Sequence, residues 1–393
     1  MLRAQPSLGI YISVPFCAQK CSFCNFASGV FPRERMAAYV DRVAGEIANA
    51  AERAVLLGAE LPVTVDTVYF GGGTPSLLPP ELFWQISDAI RAGFSLASNA
   101  EWTVECAPGQ LPDATLAAMV ECGVNRISFG AQSFVDRETA AVGRQHTRRQ
   151  AEADIASVRR AGVENITVDL LAGLPYQTLD SWRESLEVLA ALDVPHASVY
   201  MLEVDDDSRL GRELQLKSSK YHADSVPADD TIAACYELAC EVLASRGLAQ
   251  YEISNFARDG YKSRHNLKYW SREPYLGFGL DAHSMLRADN VAIRFANSDE
   301  MAAYLRGECG PGQRIGLEQQ LEEAWFLGLR RNAGVDAAEL RREFGAEALA
   351  MEEIAGELVK DELLEAGDGC YRLTPRGRLI SNDVFAAFLA VPA

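Results

Sequence analysis

Three cysteines stand close together near the start of the 393-residue sequence, in FCAQKCSFCNFAS at residues 16 to 28. They are Cys17, Cys21 and Cys24, and the nearest histidine along the chain is His146. A structural zinc ion would be expected to complete its tetrahedron with protein ligands. A 4Fe-4S cluster bound by three cysteines instead leaves one iron open to a small molecule. The spacing therefore favours an iron-sulfur cluster, with zinc as the alternative.

A run of glycines follows the second apolar segment, in VYFGGGTPSLL. It comprises Gly71, Gly72 and Gly73 and is followed by Thr74. Residues without a Cβ allow the backbone to come close to a ligand, so the run could form part of a binding site. A tight turn without a ligand explains it equally well.

Polar residues also lie at the ends of, or within, other apolar runs. Glu105 ends EWTVEC, Gln132 ends RISFGAQ, and Asp169 lies within NITVDLLAG. Charged groups in a buried sheet need partners, which a ribose, an amine or a ligand carboxylate would supply. Arg144, in AAVGRQHT, could make a charge-assisted contact with such a carboxylate. Each residue alone is more often structural, but four of them on successive loops favour a binding site.

These residues need secondary structure to position them. Up to about residue 205, short β-branched apolar runs alternate with amphipathic segments of helical spacing. This alternation predicts a parallel α/β sheet, curled or open, whose ligands bind at the carboxyl ends of the strands. The runs lie at residues 8–14, 65–70, 101–106, 126–132, 165–173 and 196–204.

The remaining sequence predicts two further units. The α/β unit comprises residues 1–210. Residues 211–310 follow as a linker, a long helix and an aromatic-rich region that contains RHNLKYW. From residue 311 to 393, two helices, a third helix, a two-stranded wing and a terminal helix outline a winged helix. That shape is used for DNA binding as well as for simple packing, and the acidity of the chain favours packing.

The composition excludes several functional classes. A formal net charge of -18 and a pI near 4.8 argue against binding to nucleic acid, which requires clustered Lys and Arg. No window approaches the roughly 20 apolar residues of a membrane span, and no signal peptide is apparent. The other six of the nine cysteines lack the spacing of a disulfide framework. We therefore expect a cytoplasmic protein with free thiols.

Several strings together resemble the radical S-adenosylmethionine (SAM) enzymes, in the branch that contains oxygen-independent coproporphyrinogen III oxidase and the HemW haem chaperones. This resemblance covers almost the whole chain and implies a partial (β/α)6 barrel with a small C-terminal domain. It also implies that the open iron of the cluster binds SAM. The strings are YISVPFCAQKCSFC, YFGGGTPS, ECAPG, RISFGAQSF, VGRQHT, VDLLAGLP and LTPRGRLISN.

The resemblance implies roles for individual residues. Cys17, Cys21 and Cys24 would bind the cluster, and Tyr11 would lie near cluster and cofactor. Ser13 stands where the family often has a histidine, so a role for that imidazole is not expected here. The implied contacts to SAM are Gly72, Gly73, Thr74, Glu105, Gln132, Arg144 and Asp169.

Two features favour the chaperones over the oxidase within this branch. The oxidase pattern has a fourth cysteine where this chain has Phe26, and the chaperones carry H-N-x-x-Y-W, here His265 to Trp270. The motif implies that His265 binds haem. From the residues alone, imidazole is a common axial ligand and the aromatic side chains could flank a porphyrin. Structural packing of the same residues is the alternative, and His283 is a second candidate ligand.

The resemblance thus implies a haem chaperone with three cofactors, namely a 4Fe-4S cluster, SAM and haem. Its partners would be haem, a haem-acceptor protein and an electron donor, with peripheral contact if that acceptor lies in a membrane. The alternative is a radical SAM enzyme, either a coproporphyrinogen III oxidase-like dehydrogenase or a methyltransferase. The sequence leaves open whether the chain is an enzyme.

Overall fold

The computed structural model describes residues 7–204, 208–216 and 220–389. Its first six strands pair in parallel and in chain order. The predicted α/β sheet is therefore confirmed. Because the six strands are parallel, their carboxyl ends all lie at the same end of the sheet. They are β1 (Leu8–Val14), β2 (Thr64–Gly72), β3 (Ser95–Cys106), β4 (Arg126–Gln132), β5 (Asn165–Ala172) and β6 (His196–Met201).

Helices connect these strands and cover one face of the sheet. The first helix buries Met36, Val40, Val43 and Ile47, the residues whose helical spacing the sequence shows. Two of the later helices begin with capping boxes, at Thr147 and Thr178, which satisfy backbone donors of the first turn. The helices are α1 (Glu34–Ala48), α2 (Ala50–Leu57), α3 (Pro80–Gly93), α4 (Asp113–Glu121), α5 (Asp136–Ala141), α6 (Arg148–Arg160) and α7 (Leu179–Leu192).

The middle of the chain extends the same sheet at both edges. The strand order is β12-β11-β10-β9-β1-β2-β3-β4-β5-β6-β8-β7, so the described strands form an open, partial barrel. The predicted middle unit therefore supplies sheet strands as well as connections. Its elements are α8 (Arg209–Leu216), α9 (Asp229–Ser245), β7 (Ala249–Gln250), β8 (Asn255–Ala257), α10 (Arg264–Trp270), β9 (Tyr275–Phe278), β10 (His283–Ala288), β11 (Val291–Ala296), α11 (Met301–Leu305) and β12 (Gln313–Ile315).

The C-terminal part has its own core and a small antiparallel sheet, ordered β13-β15-β14. Trp325 and Phe388 stack at its centre, with ring centroids 4.8 Å apart. The helices and wing follow the predicted winged-helix outline. They are α12 (Leu317–Arg330), β13 (Val335–Asp336), α13 (Ala337–Phe344), α14 (Glu347–Lys360), β14 (Leu364–Gly367), β15 (Cys370–Leu373), α15 (Pro375–Leu379) and α16 (Ser381–Ala387).

The alternation of side chains along β1 separates the hydrophobic core from the site. Leu8, Ile10 and Ile12 are fully buried in the main core, whereas Tyr11 and Ser13 point to the opposite face. Because successive side chains of a strand face opposite sides, the same strand stabilises the helix layer and lines the barrel interior. The candidate site lies on this interior face, at the carboxyl ends of the strands.

Candidate cofactor site

The three cysteines lie on a loop that is closed at its base. Two backbone hydrogen bonds of 2.9 Å close it, from the N–H of Cys17 to the carbonyl of Gly29 and from the N–H of Gly29 to the carbonyl of Pro15. Cys21 is buried, and Cys17 and Cys24 are partly exposed. The loop directly follows β1, so the structure presents all three thiols at the mouth of the barrel.

The thiols lie in a desolvated but polar environment. Burial raises the pKa of Cys17, and the hydroxyls of Ser28 and Thr74 act in the opposite direction. Burial also raises the pKa of Cys21, against which the charge of Arg144 acts. Within the described ranges, no three His, Cys, Asp or Glu side chains are grouped so as to hold a single metal ion. A cubane cluster makes a different demand, because each of its cysteine ligands binds a different iron.

The glycine run fastens the end of β2 to the cysteine loop. The N–H of Gly73 donates to the carbonyl of Val14, and the N–H of Thr74 donates to that of Phe16, each over 2.8 Å. A Cβ on Gly73 would lie 2.7 Å from the first oxygen and 2.8 Å from the second, so this position requires glycine. Gly72, with φ of +100°, lines a cavity beside the loop.

Two acidic side chains face the barrel interior. Glu105 accepts a hydrogen bond of 2.9 Å from the hydroxyl of Tyr69, and Ser128 donates to Asp169 over 3.1 Å. Burial raises the pKa of Glu105 to about 7, and the nearby charge of Asp169 acts in the same direction. Burial raises the pKa of Asp169 as well. The interior therefore favours neutral carboxyl groups or a cationic partner.

Gln132 and Arg144 lie on either side of a distortion at the end of β4. The register with β5 shifts between Gly130 and Gln132, and Gln132 has φ of +69°, which is unusual for a residue with a Cβ. The Arg144 guanidinium approaches Gly130, where a Cβ would lie 3.1 Å from one of its nitrogens. The bulge thus makes room for Arg144 and turns Gln132 away from the regular pleat.

The Nε of Arg144 is buried and has no hydrogen-bond partner among the described residues. Native structures pair nearly all such groups, and an arginine fork is suited to a carboxylate. A ligand carboxylate at this point would satisfy the donor. The charge of Arg144 also acts on the pKa values of Glu105 and Asp169, so the structure brings these three predicted residues together.

His265 lies in a layer of rings beneath the site. Its imidazole stacks on Tyr69 with centroids 5.2 Å apart and is 6.4 Å from the Tyr11 ring. Nδ1 is 2.8 Å from the Thr67 hydroxyl, and Nε2 is 2.8 Å from that of Tyr269. The residue is 1% exposed, and burial lowers its pKa to about 3. Direct ligation of haem iron by His265 would require one of these two hydrogen bonds to break, so that assignment stays a prediction.

Ion pairs connect the helix that carries His265, and the loop after it, to their surroundings, and Asp66 on β2 is the partner in the sheet. Lys268 is 3% exposed and pairs with Asp66 and Glu273, each over 2.8 Å, and Arg264 pairs with Asp66 over 3.1 Å. Arg272 pairs with Glu343 over 3.1 Å. These cations could bind haem propionates, but in the structure each already has a carboxylate partner.

The last two residues of the H-N-x-x-Y-W motif point to different parts of the protein. Tyr269 lines the cavity beside the cysteine loop, whereas Trp270 lies under the guanidinium of Arg330, 4.3 Å from the ring centroid, on the side of the C-terminal domain. The cavity has a volume of about 300 Å³. Its walls are Tyr11, Ser13, Phe26, Ala27, Ser28, Gly72, Tyr269, Tyr275, Leu280, Asp281 and His283.

Comparison with known proteins identifies the family of the chain. The model of the Radical SAM superfamily matches residues 11–189, and that of the HemN C-terminal domain matches residues 315–380. The Heme chaperone HemW of Bacillus subtilis is 33% identical, over 96% of this chain and 98% of its own length. The Heme chaperone HemW of Escherichia coli is 30% identical, over 98% of this chain and 99% of its own length. This chain belongs to the HemW family.

A solved structure supports the fold independently. Coproporphyrinogen III oxidase (HemN) from Escherichia coli superimposes with a TM-score of 0.83 at 21% identity, over 98% of this chain and 90% of that one. At this identity the match establishes the fold alone. The HemW-family chain thus combines the radical SAM α/β unit with a HemN-type C-terminal domain, as its sequence predicts. Throughout the described residues, no helix is both long and apolar enough to span a bilayer.

Sequence reasoning did not identify several residues of the site in this HemW-family member. Thr67 and Tyr69 lie on the interior face of β2, where they contact His265 and Glu105. Their alternation with the buried Val68 and Phe70 could have indicated a second polar face. Asp281 gave no such signal, because its place in the cavity depends on the pairing of β9 with β1.

Proposed function

We propose that this protein is a haem chaperone, which binds haem and transfers it to a haem-requiring acceptor protein. The observation that carries the proposal is the similarity, along nearly the whole chain, to relatives named Heme chaperone HemW. Phe26 adds support, because it stands where the related oxidase pattern has a cysteine. It is 62% exposed at the cavity wall.

In this proposal, Cys17, Cys21 and Cys24 hold a 4Fe-4S cluster. When bound, the cluster would supply an open iron that chelates the amino and carboxylate groups of SAM. The closed loop supports this assignment, since it presents three thiols at one end of the barrel. The hydroxyls of Ser28 and Thr74 and the guanidinium of Arg144 would favour the thiolate form that a metal requires.

The residues around the loop fit SAM. The unpaired Nε of Arg144 suits a carboxylate, and Glu105 and Asp169 suit a cation or ribose hydroxyls. Gly72 leaves space for close approach of the backbone, and the bulge directs Gln132 out of the pleat. The remaining proposed contacts are Tyr11, Gly73 and Thr74.

A radical SAM enzyme is the second candidate. The polar set of Arg144, Glu105 and Asp169 supports it as well, because a radical SAM enzyme would bind its cofactor in the same polar interior. In that case the protein would hold a substrate carbon near the cofactor and exclude water.

Anaerobic reconstitution with iron and sulfide, followed by titration with haem and with coproporphyrinogen, distinguishes the two functions. The chaperone predicts tight haem binding, transfer to an apo-acceptor and no porphyrinogen turnover. Deoxyadenosine formed in stoichiometry with a modified porphyrinogen would instead establish the enzyme. Cys17→Ser should lose the cluster, whereas Cys309→Ser, at an exposed thiol far along the chain, should retain it.

A further inference from the structure

A second cavity, with a volume of about 250 Å³, lies between the barrel and the C-terminal domain. The end of α10 and the turn after it form one side, with Trp270, Ser271 and Arg272. Arg331, which directly follows α12, and Glu339 on α13 belong to the other side. This cavity shares no lining residue with the cavity beside the cysteine loop, so it is a separate site.

Polar and aromatic contacts connect the two sides of this interdomain cavity. The guanidinium of Arg272 donates to both carboxylate oxygens of Glu343 on α13, each over 3.1 Å. Arg272 has φ of +53°, a left-handed conformation that is uncommon for a residue with a Cβ. The interdomain cavity is therefore bordered by residues that contacts between the two parts of the chain hold in place.

Most acidic groups of the cavity wall already have partners. Glu343 pairs with Arg272, and the carboxylate of Asp336 accepts hydrogen bonds from two backbone N–H groups at the start of α13. By contrast, neither Arg331 nor Glu339 has an ion-pair partner among the described residues. These two side chains are therefore the charges that a ligand could use.

Arg331 is a half-buried cation whose acceptors are all neutral. Its terminal nitrogens donate to the hydroxyl of Ser271 over 3.2 Å and to the carbonyl of Gly334 over 3.4 Å. Its Nε is buried and has no hydrogen-bond partner in the described ranges. Burial lowers the pKa of Arg331, and the charge of Glu339 acts in the opposite direction. Because a desolvated cation without a carboxylate costs free energy, Arg331 favours a ligand that brings one.

Trp270 supplies a further donor in the wall of the interdomain cavity. Its Nε1–H is buried and likewise lacks a hydrogen-bond partner in the part of the chain that the structure describes. An indole N–H and a guanidinium can donate hydrogen bonds but cannot accept them. Only an acceptor group can satisfy both, and a carboxylate accepts through two oxygens.

Glu339 limits the kind of carboxylate that would bind. It is too far from Arg331 to form an ion pair, but close enough for its charge to act on the pKa of Arg331. A simple anion between the two would be repelled by Glu339, whereas a molecule with a carboxylate and an ammonium group is attracted by both charges. The volume of the cavity is below the range of pockets for drug-sized ligands, which suits a small molecule of this kind.

We propose that the interdomain cavity binds a small zwitterion of the amino-acid class, with its carboxylate on Arg331 and Trp270 and its ammonium group toward Glu339. Trp270 belongs to the barrel side and Arg331 to the C-terminal domain, so a bound ligand would connect the two. This proposal does not depend on the proposed haem-chaperone function.

The test is titration of the cluster-reconstituted full-length protein with glycine, acetate and methylammonium at constant ionic strength. The indole N–H resonances of its five tryptophans are followed by nuclear magnetic resonance after isotope labelling. Glycine should shift one indole resonance saturably, and Trp270→Phe should remove that resonance and thereby assign it. Acetate and methylammonium should each bind at least about tenfold more weakly than glycine, because each lacks one of the two charged groups.

Substitutions in the wall test the two charges separately. Arg331→Gln should weaken glycine binding about 10- to 100-fold, because it removes a charge-assisted contact to the carboxylate. Glu339→Gln should weaken glycine binding but strengthen acetate binding, since it removes a negative charge. Arg342→Gln, at an exposed position of the same helix α13, is the matched control and should bind glycine as the parent protein does.

The proposal is wrong if glycine leaves every indole resonance in place, or if Arg331→Gln binds glycine as tightly as Arg342→Gln. Tighter binding of acetate than of glycine would show a simple anion site and would contradict the role of Glu339. If Arg331→Gln lowers the urea midpoint, Arg331→Lys, which keeps the charge but lacks the planar fork, should still weaken glycine binding. None of these results changes the expected haem binding, so the chaperone function is tested independently.

Discussion

Arg144 is a half-buried residue whose Nε atom is itself buried, and it lies near several polar groups of the site. Its Nε has no partner in the described ranges, whereas its charge acts on Glu105, Asp169 and Cys21. A ligand carboxylate would satisfy this donor, whose burial without a partner costs free energy. Arg144 therefore provides a direct test of the SAM site.

Arg144→Lys should weaken SAM binding while leaving the cluster intact. The substitution keeps the charge but removes the planar fork, and a charged hydrogen bond contributes about 1.5–3 kcal/mol, equivalent to about 10- to 100-fold in affinity. The measurement is SAM titration of the reduced, reconstituted protein by electron paramagnetic resonance. Arg149→Lys, at an exposed position, is the control. Equal SAM affinity of the two variants would exclude Arg144 as a contact.

The raised pKa of Glu105 predicts that the stability of the protein depends on pH. Its folded-state pKa, raised to about 7 by burial, exceeds the ordinary value of 4.5, so the native chain binds more protons than the unfolded chain between these values. The free energy of unfolding should therefore fall as the pH rises from about 4.5 through about 7. Glu105→Gln can still accept from Tyr69 but cannot ionise.

The corresponding measurement is the urea midpoint of the full-length protein and of Glu105→Gln at pH 5, 6 and 7. The variant should gain stability relative to the parent protein as the pH rises. A constant difference across this range would show that Glu105 keeps an ordinary pKa in the folded state.

At the scale of elements, the junction between β2 and the cysteine loop depends on Gly73. Gly73→Ala should lower the cluster content and destabilise the protein by about 1–3 kcal/mol, because its Cβ would meet two backbone carbonyls that cannot move independently. Gly45→Ala, in the interior of α1 with open space around it, should instead stabilise by about 0.5–1 kcal/mol. Iron and sulfide analysis with urea unfolding checks both. Normal cluster content in Gly73→Ala would contradict the proposed role of this junction.

The strands show what sequence could and could not predict. The apolar run at residues 8–14 matches β1, but β3 begins at Ser95, six residues before the predicted run. Its first residues, SLASNA, are exposed or half-buried and carry no strand pattern, and only Ser95 and Leu96 among them pair with β2 before the register shifts. Likewise β9 has four residues, and its place beside β1 depends on contacts about 265 residues apart, which local patterns do not encode.

In the site, too, some features follow from local sequence patterns and others depend on distant contacts. The thiols, the glycine run and the polar strand ends could be predicted because each follows a strand that ends at the mouth. The engagement of both nitrogens of His265 could not, since one partner, Thr67, lies on a distant strand. The cavity could not either, because residues from the cysteine loop meet the turn after β9 only in the folded sheet.

At the scale of the whole molecule, the H-N-x-x-Y-W motif joins the barrel to the C-terminal domain. Tyr269 faces the cavity, and Trp270 packs under Arg330 of α12. Backbone hydrogen bonds reinforce this contact, from Ile253 to the carbonyl of Arg330 over 3.1 Å and from Asn332 to that of Tyr251 over 3.0 Å. Adjacent residues of one short helix thus face the cavity and the domain interface.

Trp270→Ala should therefore loosen the C-terminal domain without removing the cluster. Loss of the tryptophan removes buried aromatic area and a cation–π contact, so α12 should become more accessible to protease and to hydrogen exchange. Trp84→Ala, at a tryptophan that is 41% exposed on α3, is the matched control. Unchanged protection of α12 would show that the domain is held by other contacts.

The pairing of β9 with β1 also has a consequence for synthesis on the ribosome. The strand that leads into the cysteine loop is made well before one of its two neighbours, which ends at Phe278. At 5–20 residues per second, β1 remains an unpaired edge for roughly 15 to 50 s. Unpaired strand edges can pair with other chains and aggregate. We therefore expect the nascent chain to be prone to aggregation until β9 is made. If iron bound to the cysteine loop before β9 was made, it would bind while one side of the neighbouring cavity was still missing.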